Sequence, residues 1–235
     1  MESAIVDQAR LAVAGRTLLL IWQNPTTRIF MRVGRFSWLE DGRYAFAYEP
    51  SAASLEGFFP LAEFPEFKRI YVSQSLPAFF ANRVMSQERA DYEHYRKWLG
   101  LGVGEDTPFE VLARTGGGRA TDTFHLVDEP RPDGRGMLVR FFVSGISHVN
   151  EAMDRLGRVS LGDQLEIRPE PDNPIDPRAL LVDVANNQPV GWIPSWLLDE
   201  VHSRIEEGAE IRIEVEQINI DAPDHLKLMA RITTS

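Results

Sequence analysis

The chain has no cysteine among its 235 residues. That absence removes disulfides, thiolate nucleophiles and Cys-based zinc or iron–sulfur sites together. Lysine is scarce as well. Of 25 cationic residues only Lys68, Lys97 and Lys227 are lysine, and none stands in a Walker-type or kinase-type setting. No apolar run approaches the roughly 20 residues of a membrane-spanning helix. The N-terminal residues do not read as a signal peptide either. Glu2 and Asp7 occupy the place of a positive n-region, and the run Thr17–Trp22 is too short and too late for an h-region. These absences make the cytoplasm the expected compartment and leave no membrane among the expected partners. Internal repeats and low-complexity tracts are also absent.

Positive charge is short overall, with 25 Lys+Arg against 35 Asp+Glu and a net charge of −10. Residues 1–130 carry 14 basic and 17 acidic residues, a net of −3, and residues 131–235 carry 11 and 18, a net of −7. Neither half has the basic footprint of a protein that grips nucleic acid through many phosphates. The search for chemistry is equally sparse. His94, His125, His148, His202 and His225 have no second histidine or carboxylate at metal-ligand spacing. No Gly-x-Ser-x-Gly elbow, His-Arg-Asp triplet or Walker lysine occurs. The run Thr115-Gly116-Gly117-Gly118-Arg119 follows a helix, where glycines serve as a C-cap and turn. No nucleophile with a base stands out. The expectation is a protein with no catalytic residues, no cofactor and no metal.

What is present is an ordinary globular mixture, 43% hydrophobic and 26% charged. Pro, Gly and charge concentrate over Asp128–Gly136, which neither helix nor ladder can cross, so a linker is expected there. It separates a domain over 1–130 from one over 137–235. The first domain opens with a possible short helix up to Ala14. Strands are then expected at Thr17–Gln23, Arg28–Gly34 and Tyr44–Glu49, joined through Asn24-Pro25 and Asp41-Gly42. Helices are expected at Ala78–Val84 and Gln87–Leu99, the second with Tyr92, Tyr95, Trp98 and Leu99 on one face. A third helix starts at Thr107-Pro108, with Glu110 placed for a capping box, and ends at Gly116. Thr121–Val127 is a closing strand. The second domain reads as strands at Met137–Ile146, Gln164–Arg168, Ala179–Val184, Pro189–Ile193 and Leu226–Ile232. Ile211, Ile213 and Val215 alternate with charge to form a further strand. Short helices are expected near Asn150–Leu156 and after Ser195. Ser195 would cap the latter, with Trp196, Leu197, Val201 and Ile205 facing inward. Many strands with few helices give an α+β chain whose second half is a small barrel or curled sheet.

The densest constellation runs from Arg168 to Leu180 and carries four prolines between Pro169 and Pro177. Prolines fix this backbone, and Asn173 and Asp176 suit Asx turns. The loop is either a rigid connection between strands or a preorganised ligand loop presenting Asn173, Asp176 and Arg178. Together with Gly162-Asp163-Gln164-Leu165 and Val190-Gly191-Trp192-Ile193-Pro194 it resembles the HIRAN domain, over about Met137–Ser235. The resemblance implies an OB-like β-barrel that, in helicase-like repair factors, captures 3′ ends of single-stranded DNA. It places a ligand- or DNA-end-binding surface at Ser147, His148, Asn173, Ile175, Asp176, Arg178 and Trp192. DNA-binding members carry Arg-Tyr where Ser147-His148 stand and an aromatic where Ile175 stands.

In the first half, Tyr44–Tyr48, Phe59-Pro60-Leu61, Leu76–Asn82 and Asp106–Gly117 resemble in order and spacing the N-terminal subdomain of HipA-family toxin kinases. The kinase core itself is absent from the chain. The two resemblances imply a non-catalytic toxin–antitoxin component that binds and restrains a separate HipA-like kinase encoded nearby, with the HIRAN domain as its recognition module. The alternative they imply is a protein of DNA repair or phage defence that binds 3′ ends of single-stranded DNA.

Overall fold

The computed structural model describes residues 14–119, 121–129 and 138–234. The expected N-terminal helix, and the expected linker beyond Glu129, lie outside these. The fold is α+β, with two antiparallel sheets and few short helices. The described residues divide into two compact units, 14–89 with 104–129 and 90–103 with 138–234.

The first unit is a five-stranded sheet of order β4-β3-β2-β1-β5, with β1 Ala14–Gln23, β2 Phe30–Leu39, β3 Tyr44–Tyr48, β4 Tyr71–Ser73 and β5 Phe124–Asp128. Strand β1 carries the continuous apolar run Leu18–Trp22, and all five residues are buried, as a central strand requires. The turn after it is held by Asn24, whose Oδ1 accepts the N–H groups of Thr26 at 2.8 Å and Thr27 at 3.1 Å. Strand β2 extends well beyond the expected Arg28–Gly34, because Arg35–Leu39 pair with β1 on one side and β3 on the other. Phe36, Phe46, Phe80 and Phe109 fill the core, with the Phe36 and Phe80 rings stacked at 3.8 Å. Tyr48 sits among them. Its hydroxyl donates to Phe64 O at 2.9 Å and accepts the Leu61 N–H at 2.7 Å, and burial pushes its pKa up to about 12.

The helices are shorter than the sequence suggests. Helix α1 spans only Ala78–Ala81, its first N–H groups received by the Glu63 carboxylate at 2.9 and 2.7 Å. The long helix expected over 87–99 is reduced to α2, Tyr92–Trp98, which belongs to the second unit. Helix α3, Pro108–Thr115, begins and ends where expected. Thr107 Oγ1 accepts the Glu110 N–H at 3.3 Å, and Gly116 closes the helix at φ 70°, a conformation that costs a residue with a Cβ more.

The second unit is a six-stranded sheet of order β6-β11-β10-β7-β8-β9. Its strands are β6 Leu138–Phe142, β7 Gln164–Pro169, β8 Leu180–Val184, β9 Gln188–Trp192, β10 Ile211–Ile218 and β11 Leu228–Thr234. Just beyond β6, Ser144 exchanges both backbone hydrogen bonds with Trp192 of β9 at 2.9 Å each. The two outer strands therefore meet, and the sheet curls into a barrel-like form that leaves fewer open edges. The core is aliphatic, with Phe141 its one buried phenylalanine. Strand β8 is buried along its whole length, including Asp183, which is bound by Arg168 of the neighbouring β7 at 2.8 and 3.1 Å. Asn219 ties α2 to this unit by donating to Trp98 O at 2.8 Å and Leu226 O at 2.7 Å.

Two remaining helices flank the sheet, α4 Ala152–Leu156 and α5 Leu198–Glu206. Ser195 does not cap α5. It opens a 3-10 turn, Ser195–Leu197, and the helix proper starts three residues later. Leu198 and Val201 face the core, whereas Ile205 is 44% exposed because the last helical turn runs past it. Among the described residues no helix is long and apolar enough to cross a membrane.

Candidate functional site

The proline-rich segment leaves β7 at Pro169 and enters β8 at Leu180. Its ends are pinned by Glu170 N–H to Ala179 O and Ala179 N–H to Asp176 O, both 2.9 Å. Within it Asn173 acts as the turn former that its position predicts. Its Oδ1 accepts the N–H groups of Ile175 at 2.9 Å and Asp176 at 3.1 Å. Asp176 repeats the device one turn later, accepting the Arg178 N–H on Oδ1 at 2.8 Å. Prolines and two consecutive Asx turns leave this loop little freedom. The tip, Ile175, is 89% exposed.

Trp192 connects the loop to the segment after β6. Its indole Nε1 donates to Glu170 Oε2 at 2.7 Å, and the same oxygen receives the Asn173 side-chain amide. On its other side the ring lies against Gly145, so closely that a Cβ there would stand 2.7 Å from the ring. Gly145 is at φ 70°, so both the space and the backbone demand glycine. The 3-10 turn Ile146–His148 follows at once and carries Ser147 and His148, both exposed. Gly191, beside Trp192, is also required, since a Cβ would meet Ser144 O at 2.5 Å. The structure thus joins Asn173 and Trp192 on Glu170, folds Ile175 and Asp176 about Asn173, and sets Ser147 and His148 on the turn that Gly145 begins beneath the Trp192 ring.

Arg178 is only partly available. Its Nη1 donates to Asp199 Oδ1 at 2.6 Å, its Nε lies 3.8 Å from Asp176, and its carbonyl is bonded to His202 Nε2 at 2.8 Å. The Asp199 bond, with the nearby carboxylates, raises its pKa further. Carboxylates flank both arginines of the rim, Asp176 and Asp199 at Arg178 and Glu170 near Arg168. Asp176 Oδ2 has no partner among the described residues. Chemically, the arrangement is a rigid loop that offers one free carboxylate oxygen, an exposed aliphatic tip and an anchored indole. Glu170 and Gly145 are the positions that sequence reasoning passed over. A tryptophan whose indole N–H needs a partner, and a positive-φ glycine just after a strand, were the available signals.

In the first unit the glycine run forms the expected helix end, with Leu126 N–H bonded to Gly116 O at 2.7 Å. Arg83, its side chain 2% exposed, binds Asp122 and Gly117 O and lies over the Phe79 ring at 4.2 Å. Beside it, burial chiefly, then Arg83, hold His125 below its usual pKa, with Asp122 opposing. Among the described residues no group of three acidic, histidine or cysteine side chains is placed to hold a metal ion.

No family model matches this chain, and no curated protein matches it. Two solved structures are similar to it. The HIRAN domain of human HLTF aligns with 18% identity and a TM-score of 0.34 over 41% of this chain and 74% of that one. A protein from Lactobacillus plantarum aligns with 16% identity and a TM-score of 0.36 over 40% of this chain and 89% of that one.

Proposed function

We propose that the protein is a non-catalytic recognition module of the cytoplasm, and that its second unit captures the 3′ end of single-stranded DNA at the proline-rich loop. The observation that carries this reading is Asp176 Oδ2, an acceptor without a partner among the described residues, held on a loop that two Asx turns make rigid. A terminal hydroxyl supplies the proton that this oxygen lacks, whereas a terminal phosphate is repelled by it. The rim adds to this discrimination, because its arginines are already engaged by carboxylates, Arg178 by Asp199 and Asp176 and Arg168 by Asp183. The sequence pattern that resembles HIRAN domains supplies the ligand class. Ile175 and the Trp192 ring supply apolar surface for a terminal base, in place of the aromatic that DNA-binding members carry.

Restraint of a separate HipA-like kinase rests on residue order in the first half alone. The end-binding reading stands without it.

The test is fluorescence anisotropy with single-stranded thymidine oligonucleotides ending in 3′-hydroxyl or 3′-phosphate. The hydroxyl form should bind more tightly. Asp176→Asn should weaken it about 10- to 100-fold, the worth of one hydrogen bond to a charged group, and should erase the preference. Equal binding of the two ends by the unaltered protein would overturn the reading.

A further inference from the structure

At the opposite end of β9 from Trp192 lies a cavity of about 510 Å³, between α4 and the β8–β9 hairpin. Its volume falls in the range of small-ligand sites. Leu165 and Val184, both buried, supply apolar lining. Asn186 and Gln188 bring side-chain amides, and Arg155 and Arg158 bring two guanidinium groups. The hairpin turn holds Asn186 and Asn187 at φ 67° and 55°, the two positive-φ positions of a tight turn that asparagine tolerates.

The charge state of this cavity is unusual for its unit. Eight other described arginines of the second unit are each paired with a carboxylate, from Arg96 with Glu93 to Arg231 with Glu214. Arg158 alone has no partner among the described residues, and it is exposed at the cavity. Arg155 is fixed beside it, donating to Pro189 O at 2.6 Å and to Glu151 at 3.0 Å. The one acidic lining residue, Asp163, already accepts the Ser160 N–H at 2.8 Å. In so acidic a unit, a guanidinium left without a carboxylate is an opening for an external anion.

The cavity is also connected to the loop site. Strand β9 carries Trp192 at one end and Gln188 at the other, about 13 Å apart at the rise of an extended strand. The stretch Gly145–Arg155 follows β9 over most of that distance, from the Trp192 ring to Pro189 O.

We propose that this cavity is a second subsite for the same strand, taking an internal nucleotide several residues from the captured end. Arg158 holds a phosphodiester oxygen, and the amides of Asn186 and Gln188 meet the edge of a base. The subsite extends the end-binding reading and rests on it for the identity of the ligand. Its separation from the Asp176 loop gives it a length dependence that the end site lacks.

The experiment compares the unaltered protein, Arg158→Ala and Asp176→Asn on thymidine strands of about 3 and about 12 nucleotides, a span that brackets the footprint of one OB-type unit. Arg158→Ala is expected to leave the short strand and its hydroxyl preference unchanged. It should weaken the long strand about tenfold and make its log K against log salt shallower by about 0.7. Because Arg158 is exposed and its side chain makes no bond among the described residues, the variant keeps its fold. If Arg158→Ala binds both lengths like the unaltered protein, or weakens both equally, the second subsite is wrong. If the hydroxyl preference and the Asp176→Asn effect are absent while Arg158→Ala still weakens only the long strand, the end-binding reading fails and the subsite stands. Binding of neither strand overturns both.

Discussion

Glu170 shows how much a single side chain can organise without touching a ligand. One carboxylate oxygen accepts both the Trp192 indole and the Asn173 amide, and Asn173 in turn folds the backbone around Ile175 and Asp176. Glu170→Ala strands two donors at once. It should lower stability by about 1–3 kcal/mol, read as a shift in urea midpoint, and shift the Trp192 emission. Glu170→Gln retains an acceptor in the same place and should restore most of the loss. If alanine and glutamine behave alike, the charge matters and the geometry does not. A second residue-scale effect involves His125 in the first unit, whose pKa is held below 6.5 by burial and Arg83. The unfolded chain therefore takes up a proton near 6.5 that the folded chain refuses. Stability should fall as pH drops below about 6.5 and level off once the folded-state pKa is passed. His125→Gln removes this component, so its urea midpoint should decline less over the same interval than that of the unaltered protein. Identical declines would show that the histidine plays no part.

At the scale of elements, the close approach of β9 to the segment after β6 is what makes a barrel-like form and a site in one step. Ser144 and Trp192 exchange backbone bonds only because Gly145 and Gly191 have no Cβ. Gly145→Ala would set a methyl group against the indole and strain a positive φ. We expect a loss of about 1–3 kcal/mol in thermal or urea unfolding, with weaker end binding and the first unit unaffected. Retention of full stability would mean that the ring moves aside freely. Such closures are the part of the fold that the sequence conceals. Helix α3 was legible to the residue, since Thr107, Pro108 and Gly116 are local signals for its two ends. Strand β1 was legible as an unbroken apolar run, and the Asx turns as Asn173 and Asp176 between prolines. Strand β2 was not, because the pairing of Arg35–Leu39 is decided by β1 and β3 rather than by its own mixed composition. The long helix over 87–99 failed for a similar reason. Its apolar face is real at Tyr92 and Leu99, but only seven residues of it are helical, and they belong with the second unit through Asn219, more than a hundred positions away. At the site, the turn formers Asn173 and Asp176 could be named from the sequence, whereas Glu170 and Arg158 emerge only when the partners of their neighbours are known.

For the whole molecule the governing quantity is charge. A net charge of −10 opposes nonspecific association with a polyanion, so any strand that binds must do so through few and specific contacts. The described surface of the second unit agrees in kind, since its arginines are nearly all neutralised by carboxylates and only Arg158 and the partly committed Arg178 face the ligand path. Each phosphate neutralised on a single strand contributes about 0.7 to the slope of log K against log salt. Two such contacts give a slope of about −1.4, far shallower than that of a protein with a basic groove. Titrations of a roughly 12-nucleotide strand across several salt concentrations should return this shallow line, and the hydroxyl preference should narrow but survive at the highest salt, because screening weakens the repulsion of a terminal phosphate while the close-range hydrogen bond remains. A slope steeper than about −4 would require about six or more phosphate contacts, which these side chains do not offer, and would move the binding surface elsewhere on the protein.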